Sequence, residues 1–385
     1  MNIETYKLIS DHIAINGPIS FDLFMELALY SDEGYYSGKN KIGITGDYYT
    51  SPTLHPIFSA FISTQINYLW EYLGKPYPFN VVELGCGSGV LSKDIVSSFD
   101  SVNNGIQDAL RYIAVDRISP NLTLDKVEFI QSDCPPRVGG VGIVVANELF
   151  DAFPVKRFEI ISGVPQEILV GMSEQDELIE IISPDTFTPS VIEYIVKFDL
   201  PEGYRGVVNS NFSQYFESLS KTLDKGFFIT FDYGYEEQDY YSKNRSNKHI
   251  QTYFKHIDGL RILDNVGEQD ITSHVNFTSV INSGAKHGFE SVILKSQSDW
   301  LKDMNFYEVL RKKDFSIRET QLINSLIDPD ELGKFIISIQ QKNVGSVNYL
   351  NLIPSLGFML DNFHVPPIHE SHLAYQLNPQ GFYGI

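Results

Sequence analysis

From Phe79 onward, short apolar runs alternate with stretches that have helical spacing. The apolar runs are FNVVEL, RYIAVD, KVEFI, GIVVAN and GFFITFD. Strands that alternate with helices in this way are typical of a parallel sheet in an α/β protein. The run GFESVILK at 288–295 is predicted to form a strand at the edge of that sheet.

Two segments depart from this pattern. Residues 3–30 have helical spacing broken by Gly17-Pro18, and with the loop that follows they predict an N-terminal helical cap over 1–78. The main domain is expected to span 79–343. Within it, alternating apolar residues predict antiparallel hairpins in a β-rich insertion at about 155–215.

The C-terminal extension, 344–385, is rich in aromatic residues and proline. Left exposed, its apolar side chains would form a patch larger than monomers tolerate. We therefore expect the extension to be ordered and to pack on this chain, or on a second copy in a homodimer. Its prolines predict an extended path rather than a helix.

Charge and cysteine content limit the possible partners. A net charge of −20 over 385 residues opposes binding to phosphates, so a basic protein is an easier partner than a nucleic acid. The two cysteines exclude a disulfide framework and lack the spacing of a structural zinc site, so no metal is predicted. No apolar run approaches the length of a membrane span. The cysteine content and the lack of such a run predict a cytoplasmic protein.

The strongest local signal is a run of alternate glycines directly after the first strand, Gly85, Gly87 and Gly89. Glycine lets the backbone approach a ligand closely, because no Cβ stands in the way. A dinucleotide fingerprint would place the third glycine one residue later. The observed spacing, with Glu83 two residues ahead, is typical of enzymes that bind S-adenosylmethionine, and all four residues are candidate cofactor contacts. The alternative is a tight turn that packs a helix on a strand.

Acidic residues follow the next two strands. Asp116 ends the second strand, where a carboxylate can accept both ribose hydroxyls of the cofactor; the alternative is an acid that opens a polar loop. Asp133 follows the third strand, where such folds bind the adenine amino group; the alternative is an N-cap or turn aspartate. Both are candidate cofactor contacts.

The fourth strand ends in a polar cluster that contains Asn147, Glu148 and Asp151. Ligands of open α/β sheets lie beyond the carboxyl ends of the strands, so these three residues form the candidate catalytic site. Two carboxylates would suit a guanidinium, which donates hydrogen bonds in a planar fork. The alternative is that Glu148 and Asp151 cap a following helix.

Two later residues are candidate substrate contacts. Tyr233 follows the fifth strand and either lines a substrate channel or simply packs. His274 could touch the substrate; alternatively, its imidazole is hydrogen-bonded to Asp270 or Asn276.

Ordered motifs cover most of the chain, from about Gly17 to Asn343. They are GPISFDLFMELALYSDEGYY, GDYYTSP, VELGCGSGVL, VDRISPNL, NELFDAFPV, FDYGY, TYFKH and GEQDITSHVNF. In these motifs the chain resembles the MidA-like class I methyltransferases, relatives of a mitochondrial complex I assembly factor that methylates arginine. The resemblance implies a Rossmann-like α/β fold, S-adenosylmethionine as the methyl donor and a protein arginine as the acceptor.

By position, the resemblance also implies a loop that covers the cofactor and holds Gly46, Asp47, Thr50 and Pro52. Many members have Glu where Thr53 stands in this chain.

Two other functions are compatible with the sequence. One is a small-molecule or O-methyltransferase on the same fold, and the other is an assembly factor that binds S-adenosylmethionine without catalysis.

Overall fold

The computed structural model describes residues 2–37, 49–118, 123–209, 211–254, 257–258 and 261–377. Its helices are α1 Ile3–Asn16, α2 Phe21–Tyr30, α3 Ser51–Leu54, α4 Ile57–Tyr72, α5 Val90–Asp100, α6 Ile106–Ala109, α7 Pro189–Val196, α8 Phe212–Leu219, α9 Glu237–Tyr240, α10 Phe277–Lys286, α11 Gln297–Asp303, α12 Phe306–Leu310, α13 Ile317–Ser325, α14 Leu356–Asn362 and α15 Leu373–Leu377. None of these described helices is long and apolar enough to cross a membrane.

The strands are β1 Ile19–Ser20, β2 Phe79–Leu84, β3 Leu110–Asp116, β4 Val127–Gln131, β5 Val141–Asn147, β6 Lys156–Ile161, β7 Val164–Met172, β8 Leu178–Thr186, β9 Arg205–Val208, β10 Lys225–Asp232, β11 Gly234–Tyr235, β12 Ile250–Phe254, β13 Ile257–Asp258, β14 Asp270–Ser273, β15 Val275–Asn276, β16 Glu290–Ser296 and β17 Ile336–Lys342.

Seven strands form the central sheet, in the order β16-β17-β10-β5-β2-β3-β4. The strands from β10 to β4 run parallel. β17 runs antiparallel to both of its neighbours. The predicted α/β fold with a parallel sheet is confirmed: the five apolar runs are its parallel strands, and GFESVILK lies at its edge.

Both faces of the central sheet are covered by helices. Val81 and Ile143 belong to a core shared with α4 and α5, whereas Val82 and Val144 belong to a core shared with α8 and α10. Successive side chains of a strand point to opposite faces, so both kinds of position must be apolar. This is why the parallel strands appear in the sequence as continuous apolar runs.

The sequence pattern does not predict β17, which inserts between β10 and β16. The second half of this strand contains Gln340 and Gln341, and both side chains are buried. Polar side chains in a buried strand break the apolar signal on which strand prediction depends. The position of β17 is therefore a property of the assembled sheet.

A second sheet is built from β1, β7, β6 and β9, with β8 paired to β7. Its β6–β7 and β7–β8 pairs are antiparallel, as the alternation predicts. The sheet packs on α1 and α2, and together they bury a separate core that includes Phe21, Phe24 and Phe158. Because β1 pairs with β7, the N-terminal helices and the insertion share one sheet and one core.

The described part of the C-terminal extension packs on the central core of its own chain. Leu352, Met359 and Phe363 are buried there. The predicted extended path is wrong where α14 and α15 form. Proline disrupts a helix only from within, and Pro354 precedes α14, so a helix can begin immediately after it.

We predict that Phe363→Ala lowers the free energy of unfolding by about 3–5 kcal/mol, the usual cost of a phenylalanine-sized cavity. The Phe363 ring lies 4.7 Å from that of Phe61, between centroids, and is buried. Denaturant unfolding measures the loss. Leu360→Ala is the matched control, because Leu360 is 46% exposed in the same segment, and equal effects of the two changes would show that the extension is not docked.

Candidate active site

The glycine loop after β2 has a backbone that only glycine adopts readily. Gly85, Gly87 and Gly89 have φ values of +72°, +51° and +75°, in the left-handed region. The Gly85 amide donates to the Val115 carbonyl at 2.8 Å, which ties the loop to β3. A Cβ on Gly85 would lie 2.9 Å from Leu149 Cδ1. The loop thus presents backbone, rather than side chains, at the carboxyl end of the sheet.

Asp116, the last residue of β3, is bonded to this loop. Its Oδ2 accepts from the Gly87 amide at 2.8 Å, and its Oδ1 accepts from the Ile118 amide at 3.1 Å. Burial raises the pKa of Asp116. Each carboxylate oxygen can accept a second hydrogen bond, so the group retains the capacity to bind a ribose diol. The glycine backbone and this carboxylate fit the adenosyl donor that the spacing predicts.

Glu83 lies beneath the loop. Its buried carboxylate accepts from the Tyr112 hydroxyl at 2.7 Å and also from the Ser92 hydroxyl. Burial raises the pKa of Glu83 to about 7. These contacts make Glu83 a support between β2, β3 and α5, and a direct contact with the cofactor stays a prediction.

Arg117 connects the end of β3 to α2, and sequence reasoning missed it. Its Nε donates to Asp133 Oδ1 at 3.1 Å, and its Nη1 donates to Glu26 Oε2 at 3.1 Å. The guanidinium also lies 3.9 Å from the centre of the Tyr30 ring. The Asp133 side chain is 74% exposed, so an adenine contact there stays a prediction. The only signal for Arg117 in the sequence is its position after Asp116.

Glu148 follows β5 in an unusual backbone conformation, with φ +50°. The Asn147 side-chain amide donates to Glu148 Oε1 at 3.1 Å, and the Ser51 backbone N–H also donates to this carboxyl group. Burial, followed by the nearby Asp151, raises the pKa of Glu148 to about 8. A left-handed non-glycine residue at a strand end is a frequent mark of a functional site.

A second pair of carboxyl groups lies beside Glu148. Asp232 ends β10 and is fully buried; its Oδ2 accepts from the Phe150 amide at 2.9 Å and the Asp151 amide at 3.3 Å. Burial and Asp232 raise the pKa of Asp151, and burial and Glu148 raise that of Asp232. The capping alternative for Asp151 is wrong, because residues 152–155 lead through a turn into β6.

Asp270, at the start of β14, completes this acidic cluster. It is fully buried, and the Tyr36 hydroxyl donates to its Oδ1 at 2.9 Å. Its charge contributes to the raised pKa of both Glu148 and Asp151. Sequence reasoning named Asp270 only as a partner for His274 and missed its place in the cluster. We use the name acidic cluster for Glu148, Asp151, Asp232 and Asp270.

The two candidate substrate residues lie together next to the acidic cluster. The Tyr233 hydroxyl donates to Thr272 Oγ1, and the Tyr233 ring lies 5.2 Å from the His274 ring, between centroids. His274 Nδ1 bonds to the His249 carbonyl at 3.2 Å, not to the predicted Asp270 or Asn276. Burial lowers the pKa of His274 to about 4, so its imidazole is neutral near pH 7. Contact of either residue with substrate stays a prediction.

The predicted covering loop is described only from its second half. Gly46 and Asp47 lie outside the described residues, whereas Thr50 and Pro52 lie at the start of α3. The Thr50 amide donates to Thr53 Oγ1 at 2.9 Å. Glutamate at this position of a capping box accepts the same bond, so Thr53 takes that role in this chain.

The sheet order, the glycine loop and the carboxylate after β3 define a class I methyltransferase fold. Residues 61–294 match the model of a family described as "Putative S-adenosyl-L-methionine-dependent methyltransferase", and the chain belongs to this family. Its cofactor is therefore S-adenosylmethionine, as the glycine spacing predicts.

Named relatives are similar over most of the chain. Identity to the mitochondrial protein arginine methyltransferase NDUFAF7 of Xenopus tropicalis is 23% over 403 residues, covering 95% of this chain and 86% of that protein. For NDUFAF7 of Danio rerio it is 25% over 382 residues, with coverages of 87% and 86%. The Drosophila melanogaster homologue is 24% identical over 197 residues, covering 44% of this chain and 45% of that protein.

A solved structure has the same fold. A Burkholderia thailandensis protein crystallised with S-adenosyl-homocysteine bound superimposes with a TM-score of 0.80 at 22% identity. The alignment covers 91% of this chain and 94% of that one.

The prediction of a cytoplasmic protein is wrong by this comparison, because the named relatives are mitochondrial. That prediction used the cysteine content and the lack of a membrane-length apolar run, which are general properties of the chain. Targeting receptors instead recognise short segments, so overall composition does not determine the compartment of a protein.

We predict that Gly85→Val abolishes donor binding, because its branched side chain would displace Leu149 Cδ1 and cover the backbone surface of the loop. Titration calorimetry with S-adenosylhomocysteine measures this. Gly163→Val is the matched control: Gly163 has a similar φ of +75°, and a Cβ at this position would meet no atom within 4 Å. Unchanged affinity in Gly85→Val would show that the donor binds elsewhere.

We predict that Asp116→Ala weakens donor binding by about 1–3 kcal/mol, the usual loss for a charged hydrogen-bond acceptor. The same titration measures the change, and Asp133→Ala tests the adenine contact in parallel. An unaltered affinity together with a lower melting temperature would identify Asp116 as a purely structural residue.

Proposed function

We propose that this chain is a protein arginine N-methyltransferase, which transfers the methyl group of S-adenosylmethionine to a guanidinium nitrogen of a protein substrate. The observation that supports the proposal is the acidic cluster, in which a half-buried Glu148 lies with the buried Asp151, Asp232 and Asp270 near the carboxyl ends of β5 and β10. β5 lies between β10 and β2, and β2 is followed by the glycine loop Gly85–Gly89, the candidate donor loop.

The electrostatics of the cluster favour a cation. Burial and mutual repulsion raise the pKa values of Glu148, Asp151 and Asp232. The negative charge of the ionised carboxylates is therefore not offset by their surroundings. A bound guanidinium would supply that compensation, and its planar fork can bond two carboxylates at once. A neutral hydroxyl acceptor would supply no such positive charge, and the carboxyl groups would stay protonated, which disfavours the O-methyltransferase alternative.

Two side-chain oxygens are available to receive such a fork. Within the described residues, Asn147 Oδ1 and Asp151 Oδ1 are buried and accept no hydrogen bond. Buried acceptors of this kind are costly and usually have a partner. A guanidinium has five N–H donors, enough to satisfy both oxygens and the Glu148 carboxylate.

The chain's own residues then act by positioning and by proton transfer. Bound S-adenosylmethionine supplies a methyl group on a sulfonium, which suits in-line displacement. Carboxylates that hold the guanidinium fix the nucleophilic nitrogen against that methyl group, and alignment of this kind supplies much of the rate. The nitrogen loses a proton as it gains the methyl group, and an ionised carboxylate oxygen of the cluster can accept it.

A protein is the favoured acceptor on two grounds. The named relatives are protein arginine methyltransferases. The net charge of −20 also attracts basic segments, which carry arginine. A homodimer of this chain stays a prediction.

We predict that Glu148→Gln lowers the turnover of an arginine-containing protein substrate and leaves donor affinity unchanged. The amide keeps the shape but lacks the charge that holds a guanidinium. Because the pKa of Glu148 is about 8, its charged form increases as pH rises. Wild-type kcat/KM, which reports groups of the free enzyme, should therefore increase with pH through about 8, and the part of this rise that comes from Glu148 should be absent in the variant.

Transfer of labelled methyl groups, followed across pH values from about 6.5 to 9 on either side of that pKa, measures both effects. Titration with S-adenosylhomocysteine is the internal control for folding and donor binding. Undiminished methylation in Glu148→Gln would move the catalytic role to Asp151 or Asp232, and failure of every cluster variant to affect methylation would contradict the proposed acceptor site.

A further inference from the structure

A buried aspartate on α5 holds the C-terminal extension. Asp94 is almost fully buried, and the Ser59 hydroxyl on α4 donates to its Oδ2 at 2.9 Å. His369 Nε2 lies 3.2 Å from Asp94 Oδ1, and His372 Nε2 lies 3.1 Å from Oδ2. We call these contacts of His369 and His372 with Asp94 the tail clamp.

Two histidines and an aspartate at such short distances could also suit a divalent cation. The hydrogen bonds of the other ring nitrogens argue against this. His372 Nδ1 accepts from the His369 amide at 3.1 Å, and His369 Nδ1 accepts from the Ser371 amide at 3.4 Å. A neutral imidazole that accepts at Nδ1 carries its proton on Nε2. Both Nε2 atoms are therefore donors to Asp94 and have no lone pair for a metal.

The tail clamp contacts α5, the helix that follows the glycine loop. Asp94 lies in the second turn of α5, and α5 begins directly after Gly89. A buried carboxylate needs its donors, because leaving its charge unsatisfied costs more than an ordinary hydrogen bond contributes. His369 and His372 therefore stabilise α5 in its observed position, and with it the loop at Gly85–Gly89.

The same C-terminal segment also contacts an element next to the acidic cluster. α15, which follows His372, packs against α3. The Ser51 N–H at the start of α3 bonds to Glu148. One C-terminal segment is thus in contact with α5, which follows the glycine loop, and with α3, which contacts Glu148 of the acidic cluster.

We propose that His369 and His372 are positioning residues of the methyltransferase: through Asp94 they hold α5 and the glycine loop in the conformation that binds the donor. This rests on the assignment of the donor site to the Gly85–Gly89 loop. Under this proposal, the C-terminal extension supports the donor site in addition to packing on the core.

The test uses the full-length chain and S-adenosylhomocysteine as the probe. His369→Ala should weaken binding by about threefold to tenfold, because only part of the free energy of one hydrogen bond to a charged group is transmitted from Asp94 to the donor loop. His369→Gln should restore most of the affinity, because its amide N–H can reach Asp94. His364→Ala is the matched control in the same segment, since only the main-chain carbonyl of His364 bonds to Ser98.

Three outcomes would overturn the proposal. The first is an unchanged donor affinity in His369→Ala with a lower melting temperature, which would mean that the clamp is only structural. The second is a zinc-dependent rise in the wild-type melting temperature that His369→Ala abolishes, which would mean a cation site. The third is donor binding that survives Gly85→Val, which would remove the donor site on which the clamp is proposed to act.

Discussion

Four neighbouring strands, β3, β2, β5 and β10, run parallel, so their carboxyl ends meet along one edge of the central sheet. The glycine loop at Gly85–Gly89, Asp116 and the acidic cluster all depend on this alignment. The bond from the Gly87 amide to Asp116 joins the ends of β2 and β3. The bonds from the Phe150 and Asp151 amides to Asp232 join the ends of β5 and β10 in the same way. Backbone amides that bond to strand-end carboxylates thus build both halves of the site.

The acidic cluster locally destabilises the folded state. Carboxyl groups buried near one another raise one another's pKa and lose hydration. Such an arrangement persists when the surrounding structure fixes it, and the surrounding elements here are extensive. The insertion and the N-terminal helices form a second core beside the site, and Tyr36 from this layer bonds to Asp270. Residues distant in sequence therefore enclose a cluster that no single segment could hold.

Contacts of long sequence separation also determine the supports of the site. Asp94 and His372 are 278 residues apart, and Tyr36 and Asp270 are 234 residues apart. Arg117 reaches Glu26 across 91 residues. None of these pairs has a local pattern, because each partner alone is an ordinary polar residue. Sequence reasoning accordingly placed the glycine loop and Asp116 at neighbouring strand ends, where they are bonded to each other, but it missed Arg117 and the tail clamp, and it missed the places of Asp232 and Asp270 in the acidic cluster.

The sequence by itself determined the elements whose signal is local. Apolar runs specify the parallel strands because both of their faces are buried, and the glycines after β2 are needed because the loop's φ values are positive. Tertiary structure alone decided where β17 inserts, since its buried glutamines conceal the strand, and whether the C-terminal extension forms helices. It also decided that Asp151 joins a cluster instead of capping a helix. These outcomes depend on which distant groups meet in the folded chain, and burial and charge act on those groups only once the chain has folded.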